Sequence, residues 1–152
     1  MPLRPNVCML VFNENHDLFL GERRGEPGVW QFPQGGVESD YSLEENVLRE
    51  LEEELGVPRT HFKIVKRLNA QHSYEFDNPP TYAVGKWRGQ TQSFWLVRFI
   101  GTDNLITLGG ESPEFMAWRW CSTDQVRRLA EPKRVPGYEA PLAEVEQLWR
   151  RP

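Results

Sequence analysis

Three glutamates, Glu50, Glu53 and Glu54, lie three and four positions apart in a stretch that is predicted to be helical. At about 100° of rotation per residue they fall within one arc of the helix, and Glu52 points away. Carboxylates placed in this way repel one another and destabilise the helix, whereas a divalent cation bound between them makes their proximity favourable. Oxygen ligands in this number suit Mg²⁺ or Mn²⁺. The alternative is an acidic face that only contacts water.

The helix that carries these glutamates is predicted over residues 43–55. Ser42 and Glu45 form a capping-box pattern at its start, and Gly56 closes it. Upstream, Gly35-Gly36 permits a tight turn in which the backbone approaches a ligand closely, so carbonyls can join a metal shell and amides can meet phosphate. The order of glycine pair, capped helix and acidic arc favours metal-dependent phosphate chemistry over a solvated acidic face.

Strands are predicted around this helix wherever β-compatible runs are bounded by turn residues. They cover residues 6–13, 17–23, 30–32, 61–68, 71–76, 90–100 and 115–121. The first two form a predicted hairpin, and the third stops before the glycine pair. Two helices follow the last strand: Ser122 and Gln125 can cap the first, and Leu142, Val145 and Leu148 give the second an apolar stripe. This order predicts an α/β fold in which helices cover a mixed sheet.

Composition and length narrow the possible classes of protein. A chain of 152 residues suits one domain, predicted to span 1–152. It has no apolar run near the roughly 20 residues of a membrane span and no secretory signal, so a cytoplasmic location without membrane contact is predicted. Cys8 and Cys121 are predicted to be reduced core residues. The net charge of −4 argues against extended DNA binding, so an anionic substrate needs a local basic pocket.

The residues from Gly35 onward resemble the signature of the Nudix hydrolases, Gly-x5-Glu-x7-Arg-Glu-U-x-Glu-Glu-x-Gly-U, where U is a bulky aliphatic residue. This box spans 35–57, and its later positions are filled by Arg49, Glu50, Leu51, Glu53, Glu54, Gly56 and Val57. Tyr41 stands in place of the first Glu, which braces the loop and helix in the family. Glu45 is a candidate substitute through an ion pair with Arg49, or it serves the capping box instead.

Further runs resemble the bacterial RNA pyrophosphohydrolases and their diadenosine polyphosphate hydrolase relatives. They are Arg4-Pro5-Asn6-Val7, Arg23-Arg24, residues 30–36, Gly89-Gln90, residues 112–115 and residues 118–120. The resemblance implies the Nudix α/β/α sandwich and attack of water on a phosphorus of a diphosphate linkage. The implied substrate is the 5′-triphosphate end of RNA, which would lose pyrophosphate. Cleavage of dinucleoside polyphosphates is the alternative, and Tyr41 leaves a catalytically inactive nucleotide-binding module as a second one.

The resemblance also implies roles for individual residues. The metal ligands, for Mg²⁺ or Mn²⁺, would be Glu50, Glu53, Glu54, Glu114 and the backbone carbonyl of Gln34. Either Glu50 or Glu53 would activate the water, and the resemblance favours Glu50. Candidates for binding the polyphosphate, each with a solvated surface charge as its alternative, are Arg4, Arg24, Lys133 and Arg134.

Overall fold

A computed structural model of the chain describes residues 1–110 and 113–150, so Ser112 of the quoted motif and the last two residues lie outside the described part. The strands in this part are β1 (Leu3–Phe12), β2 (Leu18–Arg23), β3 (Trp30–Gln31), β4 (Gln34–Gly36), β5 (Phe62–Glu75), β6 (Gly89–Phe99) and β7 (Phe115–Cys121). The α-helices are α1 (Leu43–Leu55), α2 (Thr123–Leu129) and α3 (Val135–Arg150).

The strands form one mixed sheet. Its main path runs β3-β2-β1-β6-β5, with β4 paired to β1 and β7 paired to β2. Strands β1 and β6 are parallel over their whole shared length, from the pair Leu3 and Gly89 to the pair Phe12 and Arg98. The other pairs are antiparallel, and the predicted hairpin of β1 and β2 is among them. The predicted α/β fold with a mixed sheet is confirmed.

Strand β1 is buried on both faces, which explains its nearly continuous apolar sequence. Cys8, Leu10 and Phe12 share a core with residues of α3 on one side. On the other side Val7, Met9 and Val11 share a core with Val47, Leu51 and Leu55 of α1. Helices therefore cover both faces of the sheet, and the predicted α/β/α sandwich is correct. Both cysteines are buried free thiols, as predicted.

The ends of α1 follow the predicted signals. The side chain of Ser42 accepts a hydrogen bond from the Glu45 backbone N–H at 3.1 Å. Gly56 adopts a left-handed conformation with φ of 66° and donates its N–H to the carbonyl of Glu52. At the start of α2 the predicted capping box is complete, because Ser122 and Gln125 bond to each other's backbone N–H groups. No helix within the described residues is long and apolar enough to cross a membrane.

The sequence predicts two strands, 61–68 and 71–76, where the structure has the single strand β5. It is continuous, and its pairing with β6 shifts between Arg67 and Gln71. At this irregularity the Glu144 carboxylate of α3 accepts hydrogen bonds from the backbone N–H groups of Asn69 and Ala70 at 2.8 and 3.0 Å. A side chain from a distant helix therefore supplies acceptors where the regular ladder is interrupted, which no local pattern in the strand reveals.

We predict that an ion pair between α2 and α3 sets part of the acid sensitivity of the fold. Arg127 donates to both Glu146 oxygens at 2.9 and 2.8 Å. Hydrogen bonds from Arg127, followed by Thr123, lower the pKa of Glu146 to about 2. The stabilisation is therefore present above the unfolded-state pKa and is lost as the pH falls from about 4 towards 2. Both side chains are partly exposed, so Glu146→Gln should lower the free energy of unfolding by only about 1 kcal/mol at neutral pH.

Urea unfolding at a series of pH values measures this effect. Glu139→Gln is the matched control, because Glu139 also contacts Arg127 but its side chain is 51% exposed. The control should change stability by less than about 0.5 kcal/mol. Equal losses in the two variants, or an unchanged acid limb in Glu146→Gln, would contradict the assignment.

Candidate functional site

A cleft of about 820 Å³ opens where the amino-terminal ends of β1 and β6 meet β4 and the start of α3. Its floor carries amide side chains, from Asn6, Gln34, Gln90 and Gln92. Four basic residues also line it, namely Arg4, Arg23, Lys133 and Arg134. The lining also includes five acidic residues, Glu26, Glu75, Asp77, Glu114 and Glu131, so the cleft has mixed charge and offers an anion these four cations as local contacts.

The glycine pair at this cleft is not the predicted tight turn. Gly35 and Gly36 belong to β4 and pair in extended conformation with Val7 and Asn6 of β1. Their lack of a side chain serves another purpose. A Cβ on Gly35 would overlap the carboxyl group of Glu50, and a Cβ on Gly36 would overlap the guanidinium of Arg4. The two glycines therefore let a carboxyl group on one face of β4 and a guanidinium on the other face lie close to the backbone.

Glu50 and Glu54 are in environments that disfavour their charged forms. Burial, followed by the neighbouring Glu53, raises the pKa of Glu50 to about 7. Burial also raises the pKa of Glu54 well above its ordinary value, with Glu50 and Glu114 adding to the effect. Glu54 is only 9% exposed, and its Oε2 has no hydrogen-bond partner among the described residues. An unpartnered buried carboxylate oxygen needs either a proton or a cation.

Glu53 and Glu52 occupy different faces of α1, as predicted. Glu53 is exposed, and its charge raises the pKa values of both Glu50 and Glu54. Glu52 is directed towards Arg59, accepting from its backbone N–H at 2.9 Å and from its guanidinium at 3.3 Å. Glu52 is therefore engaged in fixing the chain that follows α1.

Glu114 immediately precedes β7 and lies far beyond α1, which ends at Leu55, in the sequence. It lines the cleft, accepts a hydrogen bond from Arg23 at 3.2 Å and raises the pKa values of Glu50 and Glu54 through its charge. The fold thus brings this predicted residue into the electrostatic environment of the helix carboxylates. Its placement depends on the pairing of β7 with β2.

These carboxylates fit a hard divalent cation. Within residues 1–110 and 113–150, no three acidic, histidine or cysteine side chains already converge on one point as a formed metal site. The chemistry of the donors nevertheless suits such an ion, because several carboxylates crowd together and Glu54 Oε2 lacks a partner. Gln34 lines the same cleft, and its side chain accepts from Gln92 at 2.6 Å. The ligand role of its backbone carbonyl stays a prediction.

The loop before α1 is braced in a way that the sequence pattern did not reveal. Neither of the two roles predicted for Glu45 is found, since its carboxylate pairs with Arg59 at 3.1 Å. Instead the buried side chain of Asn46 donates to the carbonyls of Glu38, Tyr41 and Ser42 and accepts from the Glu38 N–H.

Tyr41, at the position that departs from the family signature, packs on the helix. The guanidinium of Arg49 lies over the Tyr41 ring at 5.0 Å and also donates to Asn46 Oδ1 at 2.9 Å. The tyrosine and Asn46 therefore join the loop to α1 by stacking and amide hydrogen bonds. The loop is held although the glutamate of the signature is missing.

The four basic residues predicted to bind substrate do not all reach the cleft. Arg4 lines it and lies over the ring of Tyr82 at 4.5 Å, and Lys133 and Arg134 line it as well. Arg24 is exposed and is not among the residues that line the cleft, so its role in binding substrate stays a prediction. Its neighbour Arg23 lines the cleft instead and donates hydrogen bonds to Gln31 and Glu114. A β-bulge between Glu22 and Arg23 breaks the alternation that would have distinguished the two arginines.

Comparison with known proteins adds to this geometry. The NUDIX domain profile matches residues 2–143. An RNA pyrophosphohydrolase of Zymomonas mobilis is 35% identical over 144 residues, covering 93% of this chain and 93% of that protein. An RNA pyrophosphohydrolase of Roseobacter denitrificans is 37% identical over 138 residues, covering 88% of this chain and 86% of that protein.

A solved structure shares the fold. A C. elegans Ap4A hydrolase in a binary complex superposes with a TM-score of 0.65 at 15% identity, covering 93% of this chain and 98% of that chain. At this identity the similarity concerns the fold alone.

The adjacent glycines lead to a paired prediction. Gly35→Ala should displace the Glu50 carboxyl group and weaken Mn²⁺ binding at least about tenfold, as loss of ligand positioning commonly does. Gly36→Ala should displace Arg4 and leave Mn²⁺ binding nearly unchanged. Calorimetric titration with Mn²⁺ measures both affinities. Melting temperatures should stay close to that of the parent, because the atoms to be moved are the ends of flexible side chains. Equal Mn²⁺ affinities in the two variants would refute the separate roles.

Proposed function

The chain belongs to the Nudix family of hydrolases, and from this membership we propose that it removes pyrophosphate from the 5′-triphosphate end of RNA with the help of Mg²⁺. The observation that carries the proposal is the pair of side chains seated on β4. Glu50 lies against Gly35 on one face of β4, and Arg4 lies against Gly36 on the other face, where it lines the cleft, so only the thickness of this strand separates an acid of the helix from a guanidinium suited to phosphate. The relatives named RNA pyrophosphohydrolase support the choice of substrate.

The basic residues of the cleft bind and orient the polyphosphate. Arg4 offers a planar guanidinium that suits two oxygens of a phosphate, and its stacking on Tyr82 limits its freedom. Lys133 and Arg134 approach from the segment before α3, where each contacts Glu131 at 3.0 and 3.9 Å. Arg23 is held by Glu114 and Gln31. Together they place the charged end of the substrate beside the carboxylates.

The metal ligands in this proposal are Glu50, Glu53, Glu54 and Glu114, with the carbonyl of Gln34. When bound, Mg²⁺ neutralises phosphate charge and lowers the pKa of water, and Mn²⁺ can take its place. Burial, followed by the charge of neighbouring carboxylates, raises the pKa values of Glu50 and Glu54, and a bound cation would favour their ionised forms.

One carboxylate must accept the proton of the attacking water, and the candidates are Glu50 and Glu53. A general base works best when its pKa lies near the operating pH. Burial, followed by Glu53, raises the pKa of Glu50 to about 7 when no cation is bound, and a bound cation would lower it again, so position rather than pKa favours Glu50 for this step. Its carboxyl group also lies on Gly35, at the edge of the cleft.

The two alternatives have weaker support. For dinucleoside polyphosphate cleavage the support is the shared fold of the Ap4A hydrolase. The inactive binding module rests on Tyr41, which replaces a glutamate of the signature. Tyr41 and Asn46 nevertheless hold the loop against α1, which weakens this alternative. The family match over residues 2–143 further supports one Nudix domain spanning 1–152.

Direct comparison of substrates tests the proposal. The protein is incubated in Mg²⁺ with a 5′-triphosphorylated oligoribonucleotide and, separately, with diadenosine tetraphosphate, and the released phosphates are quantified. We expect kcat/KM for the RNA to exceed that for the dinucleotide by at least about tenfold, or about 1.4 kcal/mol in transition-state stabilisation. A dinucleotide preference of that size would overturn the proposed substrate. Binding without any metal-dependent product release would establish the inactive module.

Adjacent glutamates of α1 provide matched variants for the same assay. Glu53→Gln keeps the size of the side chain but removes a carboxylate of the proposed metal set, so kcat should fall by at least about a hundredfold. Glu52→Gln is the control, because Glu52 contacts Arg59 on another face of the helix. It should stay within about threefold of the parent. Near-normal turnover in Glu53→Gln would remove Glu53 from the metal set.

A further inference from the structure

Strand β5 ends the main path of the sheet and connects the cleft with a second cavity. His72 and Tyr74 of this strand line the cleft. About nine residues earlier, Lys63, Ile64 and Val65 line a cavity of about 500 Å³ together with Phe12, Arg98 and Ile100. At about 3.3 Å per residue the two places are about 30 Å apart along the strand.

The second cavity contains a pairing that is unfavourable for the sheet itself. Lys63 of β5 lies directly opposite Arg98 of β6, and Arg98 in turn lies beside Phe12 of β1. Like charges in directly opposed positions destabilise a pair of strands. Both cations are exposed, and no carboxylate of the described residues lies within salt-bridge distance of either. Two facing cations without a counter-charge suit an anion.

More positive charge follows the strand towards the cleft. Lys66 comes next along β5 and lies opposite Leu96, on the same face of the sheet as Lys63 and Arg98. Arg67 lies on the other face, over the ring of Trp95 at 5.7 Å. Neither forms an ion pair with another described residue. The carboxylates near this segment are engaged elsewhere. Glu75 of β5 contacts Arg88, and Glu144 of α3 accepts from the backbone N–H groups of Asn69 and Ala70.

We propose that Lys63, Lys66 and Arg98, here called the cationic edge, bind the single-stranded body of the RNA whose 5′ end lies in the cleft. The inference rests on the proposed function. Charge complementarity to phosphates supports it, as does the continuity of β5 from the cleft to the second cavity. The apolar side chains of that cavity, Ile64, Val65 and Ile100, suit a base or ribose between the phosphate contacts.

RNA length tests the proposal, because only a long strand reaches the cationic edge. At about 3.4 Å per nucleotide of a stacked strand, about nine nucleotides cover the distance. The substrates are a 5′-triphosphorylated dinucleotide and an unstructured 5′-triphosphorylated 15-mer. For Lys63→Glu and Arg98→Glu we expect KM for the 15-mer to rise at least about fivefold and the salt dependence of binding to weaken. Their kcat/KM for the dinucleotide should stay within about twofold of the parent.

Arg128→Glu is the matched control, since Arg128 is an exposed cation on α2 outside both cavities. This variant should leave KM for the 15-mer and kcat/KM for the dinucleotide unchanged. Equal effects of Lys63→Glu on the two RNA lengths, no effect on either, or a similar effect of Arg128→Glu would each overturn the proposal. Loss of binding to anionic lipid vesicles in Lys63→Glu, with unchanged handling of the 15-mer, would assign the edge to a membrane surface instead.

A binding measurement separates this inference from the proposed function. Fluorescence anisotropy with a 15-mer that ends in a 5′-hydroxyl reports the cationic edge without any hydrolysis. Weaker binding by Lys63→Glu and Arg98→Glu than by Arg128→Glu supports the edge even if the parent hydrolyses neither RNA. Unchanged anisotropy titrations beside normal hydrolysis would refute the edge and leave the proposed function intact. Size-exclusion chromatography of each variant identifies aggregation, the outcome expected if these charges only protect the end of the sheet.

Discussion

The crowding of carboxylates between α1, β4 and β7 is the interaction on which the site depends. Glu50 and Glu54 are held where burial and neighbouring charges favour their neutral forms, and the sheet and the caps of α1 keep them there. On the other face of β4, Arg4 lies against Gly36. The fold therefore maintains separated regions of negative and positive charge at one cleft, and a metal polyphosphate is the kind of ligand that satisfies both.

Much of this arrangement is contained in local patterns. The arc of Glu50, Glu53 and Glu54 follows from helical rotation alone, and the cap residues Ser42 and Gly56 have the geometry that their types favour. The layers of the fold follow from the apolar run of β1, which has to be covered on both faces. The resemblance to the RNA pyrophosphohydrolases, outside the family signature, supplied Glu114, which no local pattern links to α1.

The remaining features depend on contacts between distant residues or on small irregularities. The purpose of Gly35 and Gly36 becomes visible only when Glu50 and Arg4 are seen packed on them. Which of Arg23 and Arg24 lines the cleft depends on a β-bulge. The partner of Glu45 is Arg59, which follows the helix. Asn46 and Tyr41 together replace a single glutamate of the signature, through bonds that the motif does not encode.

The most direct test of the account is a crystal structure with Mn²⁺ and a 5′-triphosphorylated RNA whose phosphoanhydride links cannot be hydrolysed. Anomalous scattering locates the metal independently of its ligands. The account predicts Mn²⁺ bound by Glu50 and Glu54 of α1, with the triphosphate in contact with both the metal and Arg4. Mn²⁺ away from α1, or a triphosphate outside the cleft, would contradict it.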